Sequence, residues 1–272
     1  MPDQPSYRVR SLSRGLSVLA ALNARGSSTL AELSLDVGLA KPTTFRILKT
    51  LLEDEYVTME VGSGIYRPAA RVSSLSSEFE ETAWFVEHTR SHLAALAEKL
   101  VWPLSVSTLA RTRILVRGNT DSTNALAVGK LKPGMTLPIL ETASGRVLLA
   151  FSIIKNRDHI LQRLRQSNDQ CDWIARDNKK TQRILHETKE NGFASVTVPR
   201  HVSNLTAVAV PVTVQDFTVA ALAIRFSATG VPKEIISRDF LPALRLTAQA
   251  IGRDIASDER AAWVLGDYKV SR

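Results

Sequence analysis

The chain has 272 residues, 44% of them hydrophobic, and a formal net charge of +8 at pH 7. That length can bury a sizeable core and points to two domains. The lone Cys171 leaves no disulfide framework or thiolate metal cluster, and no apolar run reaches the length of a membrane span. The basic start lacks the apolar stretch of a signal peptide, so a cytoplasmic protein is expected. Charge alone does not locate a nucleic-acid surface: residues 1–71 hold nine Lys/Arg and seven Asp/Glu, while residues 110–200 hold sixteen and eight. Particular residues have to locate it instead.

In chain order, residues 1–7 read as a flexible arm. Arg8 and Arg10 follow, ahead of a first helix, and resemble basic arms that enter a minor groove. That helix, "LSRGLSVLAALNARG", places Leu12, Leu16, Leu19 and Ala20 on one face and stops at Gly26. In "STLAELSLDVG", Thr29 is a cap and Glu32, three positions on, closes a capping box, with Leu30, Leu33 and Val37 facing inward. Gly38 suits the reversal that follows, and Pro42 suits the first turn of the next helix.

Phe45, Leu48, Leu51 and Leu52 give that third helix one apolar stripe. "YVTMEVGSGIYRP" then reads as two strands, 56–61 and 65–67, around Gly62-Ser63-Gly64. The ordered set is a winged helix-turn-helix spanning residues 8–72, with its motif at about 30–50. The expected DNA contacts follow from side-chain chemistry: Arg46, Thr43 and Thr44 in the major groove, and Lys41, Lys49 and the wing's Arg67 on phosphates.

Residues 73–100 read as a linker and dimerisation helix, with Leu75, Phe79, Phe85, Leu93, Leu96 and Leu100 at helical spacing. His88 and His92 lie four apart but have neither the HExxH glutamate nor a third ligand, so surface histidines are expected and no metal. From residue 101 to 257 helices and strands alternate. "SVSTLA" and "RILVRGNT" are strand-like, "TASGRVLLAF" opens a helix, and "NRDHILQRL" and "TQRILHETKENGF" are amphipathic helices. "NLTAVAVPVTVQDFTVAALAIRFS" is a hairpin turning near Gln215-Asp216, and "LPALRLTAQAIGRDIAS" is a closing helix. This is an α+β pattern. The tail, 258–272, has no assignment.

The layout resembles the IclR family of bacterial transcriptional regulators over nearly the whole chain. The resemblance rests on "RSLSRGLSVL" with "LAELSLDVGLAKPTTFRILKTLLEDEYV", on "LPILETASGRVLLAF", and on "NGFA" followed by "AVAVPV". "VWPLSVSTL" looks most like the activators of hydroxyphenylpropionate degradation within that family. The resemblance implies a winged helix-turn-helix, a GAF-like effector domain, dimers that pair into tetramers and a small organic-acid effector. The partners expected are a palindromic double-stranded operator, the effector, a second copy of the chain and RNA polymerase.

For the effector, the start of the "TASGR" helix suits a carboxylate, because unpaired N–H groups and the positive dipole end favour an anion. Ala143, Ser144 and Gly145 are the expected contacts there. Ser105 and Ser107, on an early strand, are expected to face the same pocket. Thr206 stands where relatives carry a small polar or sulfur residue. The other reading of these small residues is tight helix–strand packing. Neither Cys171 nor any of the five histidines sits in a catalytic motif, so no catalytic residue and no cofactor are expected. A ligand-free architectural DNA binder and a small-molecule enzyme are the alternatives to a regulator.

Overall fold

The computed structural model describes residues 9–60, 62–75, 80–127, 131–198 and 204–258. Two compact units divide the chain, one ending at Glu80 and the other beginning at Glu81.

The first unit contains α1 (Arg10–Arg25), β1 (Ser28–Thr29), α2 (Leu30–Val37), α3 (Lys41–Glu53), β2 (Val57–Met59), β3 (Ile65–Pro68) and α4 (Arg71–Ser74). Its core gathers Val18, Leu19, Leu22, Leu33, Leu48, Val57 and Tyr66. The expected face of α1 is corrected here. Leu12 and Leu16 are 62% and 55% exposed and Ala20 is exposed, while Val18, Leu19 and Leu22 turn inward. Both sets recur at helical spacing, so periodicity alone could not choose between them.

The α2 cap forms as the sequence predicts. The Glu32 N–H donates to the Thr29 Oγ1, and the Thr29 N–H donates to the Glu32 carboxylate at 2.8 Å. These backbone and side-chain hydrogen bonds from Thr29 hold the Glu32 carboxyl below its usual range. Gly38 ends α2 at φ +64°. Arg25 donates to Asp36 at 2.8 Å, tying the end of α1 to α2. Replacing Thr29 by alanine is expected to cost the first unit ~1 kcal/mol, read as a lower denaturant midpoint with the second unit's transition unchanged. The wing gains a strand the sequence did not suggest, since β1 pairs β3 to give the order β1-β3-β2.

The second unit begins with α5 (Glu80–Leu100). Six antiparallel strands follow: β4 (Leu104–Ala110), β5 (Arg113–Asn119), β6 (Thr136–Pro138), β7 (Ala194–Val198), β8 (Leu205–Val214) and β9 (Phe217–Ser227). Their order is β6-β5-β4-β9-β8-β7. The helices are α6 (Ala143–Ala150), α7 (Ile154–Arg165), α8 (Asn178–Asn191), the short α9 (Lys233–Ile235) and α10 (Leu241–Ser257), with a 3-10 turn at Gln170–Arg176. The β8–β9 hairpin turns at Gln215-Asp216 as expected, whereas the edge strands β6 and β7 were not legible in the sequence.

Alternation along β8 and β9 sorts two different surfaces onto the two faces of the sheet. Val208, Val210, Val212, Leu222, Ile224 and Phe226 form a bulky face under α5 and α10. Ala209, Ala221 and Ala223 face the other way, toward α6, α7 and α8. Small residues there let α6 approach the sheet closely.

Helix α5 is part of this core through Phe85, Leu93, Leu96 and Leu100, while Leu75 lies in a turn before it, 60% exposed. Phe79 lies outside the described residues. His88 and His92 each meet an aspartate near the end of the last helix: His88 Nε2 lies 2.9 Å from Asp258 and His92 Nε2 lies 2.6 Å from Asp254. The two rungs join antiparallel helices, and no metal-ligand group of three occurs among the described residues.

Candidate functional site

Helix α3 begins at Lys41, with Ala40 as its cap residue and Pro42 in the first turn. Its outward face presents Lys41, Phe45, Arg46 and Lys49 exposed, and Thr43 half-buried. Lys41, Arg46 and Lys49 have no ion-pair partner among the described residues, so their charge is available to a polyanion.

Thr44 is a correction. It is 0% exposed and its hydroxyl donates to the Ala40 carbonyl at 3.3 Å, so it packs under the helix and cannot reach a base. Phe45 is the reverse case. It was expected inside, yet it is 49% exposed beside Arg46, because Ile47 and Leu48 take the inward positions. An apolar ring on a recognition surface suits the methyl group of thymine.

Arg67 stands on the wing strand β3 opposite Thr58, half exposed and 3.6 Å from Glu60, which shares part of its charge. Arg10 is also corrected, since it is the first residue of α1 rather than part of an arm. Residues 1–7 and Arg8 lie outside the described residues.

The second site is a cavity of about 150 Å³ between the small-residue face of the sheet and the start of α6. Ser105, Ser107, Ala143 and Ser144 line it as expected, joined by Ala207 and Ala223. Ser105, Ser107 and Ser144 are 3%, 1% and 6% exposed, and their hydroxyls hydrogen-bond to no other described residue. The backbone N–H groups of Ala143 and Ser144 also lack partners among the described residues. Buried hydroxyls are normally paired, so three open ones around a void mark a place for a polar ligand or water.

Two expected contacts are absent from the cavity wall. Gly145 donates its N–H to the Thr142 hydroxyl at 3.1 Å, and a Cβ added there would lie 2.1 Å from the Ile139 carbonyl oxygen. The glycine therefore serves helix packing. Thr206 faces the bulky side of the sheet and shares a hydrogen bond of 2.9 Å with Thr197. A period of two decides this, because its neighbours Leu205 and Ala207 are the residues that line the cavity.

Arg225 lines the cavity and was missed. It stands on β9 in register with Ala207. The available signal was an arginine at a cavity-facing step of the strand "FTVAALAIRFS". Cys171, the one thiol, is pushed up to about 11, first by burial and then by its hydrogen bond to Glu141. It stays protonated at neutral pH and is a poor nucleophile.

Comparison with known proteins gives a family match in each unit. Residues 11–60 match the IclR helix-turn-helix domain, and residues 83–253 match the C-terminal domain of the bacterial transcriptional regulator IclR. The chain is 26% identical over 264 residues to the HTH-type transcriptional regulator TsaQ1/TsaQ2 of Comamonas testosteroni, covering 93% of this chain and 90% of that protein. Its fold is similar to that of an IclR family transcriptional regulator from Brucella abortus, with a TM-score of 0.65 and 21% identity over 92% of this chain and 94% of that one.

It is also similar to an IclR homolog from Microbacterium hydrocarbonoxydans complexed with 4-hydroxybenzoate, with a TM-score of 0.63 and 18% identity over 91% of this chain and 100% of that one. No helix among the described residues is long and apolar enough to cross a membrane. A helix-turn-helix at the N-terminus and a ligand-sized cavity in the matched C-terminal domain are two halves of one design, and the chain belongs to the IclR family of bacterial transcriptional regulators.

Proposed function

We propose that this regulator responds to a small organic acid and controls an operon for the breakdown of an aromatic or other organic acid. The observation that carries this reading is the cavity ringed by the open hydroxyls of Ser105, Ser107 and Ser144 and the free N–H groups of Ala143 and Ser144. Its volume, about 150 Å³, is that of a void able to hold one aromatic ring. That favours single-ring or short-chain acids over sugars or larger ligands. The 4-hydroxybenzoate held by the Microbacterium homolog supports the same class. An architectural DNA binder would have no use for such a cavity.

On the DNA side, Arg46 and Thr43 read bases and Lys41, Lys49 and Arg67 hold phosphates. One recognition helix specifies too few base pairs to mark a single operator, so the chain binds a palindrome as a dimer, with half-sites about one helical turn apart. Pairing of dimers into tetramers, contact with RNA polymerase and a cytoplasmic location complete the reading.

The test is a thermal-shift screen with single-ring and short aliphatic acids, followed by operator binding with each hit. An effector is expected to raise the melting temperature by mass action and to change DNA affinity or footprint. Acids that bind without altering the DNA complex would leave the cavity without a regulatory role.

A further inference from the structure

Arg225 is 6% exposed on a strand face otherwise made of Ala221 and Ala223. One terminal guanidinium nitrogen donates to Asp121, itself 1% exposed. The other Asp121 oxygen accepts the N–H of Leu131 at 2.8 Å, so the aspartate is satisfied at both oxygens. The arginine is not. Its Nε is sealed from water and has no acceptor. That seal keeps the Nε from a ligand as well, but Arg225 also lines the cavity, and its Nη1 is not sealed and is bonded to no described residue. Buried charged donors are almost always paired, so the free end of the guanidinium points to an acceptor that arrives from outside.

We propose that Arg225 fixes the acid group of the effector: a carboxylate docks on the guanidinium edge that Asp121 leaves open. This rests on the effector reading given above and names the residue that reads the charge. A guanidinium presents a planar fork of donors that matches two carboxylate oxygens. It also carries a full charge, whereas the start of an eight-residue helix offers about half of one. Helix α6 has less to give than its sequence suggests, because the Gly145 N–H is already taken by Thr142.

Asp121 has its own part in this arrangement. Before an effector arrives it keeps the buried guanidinium from being a bare cation. When a carboxylate arrives, the added negative charge is shared by the open serine hydroxyls and the Ala143 and Ser144 N–H groups. Glu141, the acidic side chain among the described residues of the wall, is exposed, so water screens its repulsion.

The experiment measures the affinity of benzoate, 4-hydroxybenzoate and hexanoate, each against its neutral amide, for the full-length protein and two variants. Arg225→Met alone would strand the Asp121 carboxylate, so it is paired with Asp121→Asn. Arg225→Lys keeps the charge and the ion pair but lacks the planar fork. The wild type is expected to prefer the acid over its amide, and the double variant to lose that preference by roughly tenfold or more while still binding the amide. Arg225→Lys is expected to weaken the acid and leave the amide unchanged, which keeps the test decisive if the double variant does not fold. A folded variant that keeps the full preference for the acid overturns the role of Arg225 and leaves the effector cavity standing. A wild type that binds none of the acids overturns both.

Discussion

Replacing Gly145 by alanine is expected to destabilise the second unit severely rather than to give a regulator that ignores its effector. An added methyl carbon would lie 2.1 Å from the Ile139 carbonyl oxygen and 2.6 Å from its carbonyl carbon. Both are backbone atoms of the segment that leads into α6, and neither can swing aside as a side-chain tip can. Ile139 and Leu140 are 0% and 1% exposed, so the segment itself has no room to retreat. Relief requires α6 to lift from the sheet, which opens contacts among Val147, Leu148 and the alanines of β8 and β9.

Overpacking of this kind costs ~3 kcal/mol or more. For a unit of this size that corresponds to a fall of roughly 6–12 °C in melting temperature. Thermal unfolding followed by circular dichroism checks it, and a melting temperature within about 2 °C of the wild type would refute the packing argument. A valine at this position carries the same clash and more, so it cannot serve to block the cavity selectively. Ser144→Val leaves the packing glycine in place and is the better probe of ligand binding.

Gly145 also shows what the sequence could and could not say. "TASGR" reads as a helix start with small residues, and that is what forms. Whether the glycine serves a ligand or a neighbouring strand depends on how close Ile139 comes, a distance that no spacing rule contains. The winged helix-turn-helix was legible in detail because its signals are local: a capping box, a glycine at positive φ and a proline in the first turn. The hairpin and the closing helix were legible for the same reason.

The pairing of β1 with β3 and the edge strands β6 and β7 are short and non-local, so little in their own residues announces them. Arg225 was hidden differently. Its strand was recognised, but a buried arginine acquires meaning only beside Asp121, 104 residues away in the chain.

On the recognition helix, Arg46→Ala, Lys49→Ala and Thr44→Val should separate into three behaviours. Arg46 is exposed and has no ion-pair partner among the described residues, and in the proposed function its forked donor reads a base edge. Its loss is expected to weaken operator binding by roughly 1–3 kcal/mol and to relax preference at one base pair in each half-site. Lys49 lies nearly one turn further along the same exposed face and carries a point charge suited to a phosphate. Its loss should weaken operator and unrelated DNA alike, and should reduce the salt slope by about one.

Thr44→Val acts through neither route. The residue is 0% exposed, so base preference and salt slope should both stay as in the wild type while the first unit loses stability. Salt titrations on a selected operator and on scrambled DNA distinguish the three. If Arg46→Ala weakens both DNAs equally, Arg46 holds a phosphate, and base reading passes to Thr43 and the exposed ring of Phe45. Replacing each operator thymine by deoxyuridine would then locate Phe45, because removal of the one methyl group it covers should weaken the wild type and leave Phe45→Ala unchanged.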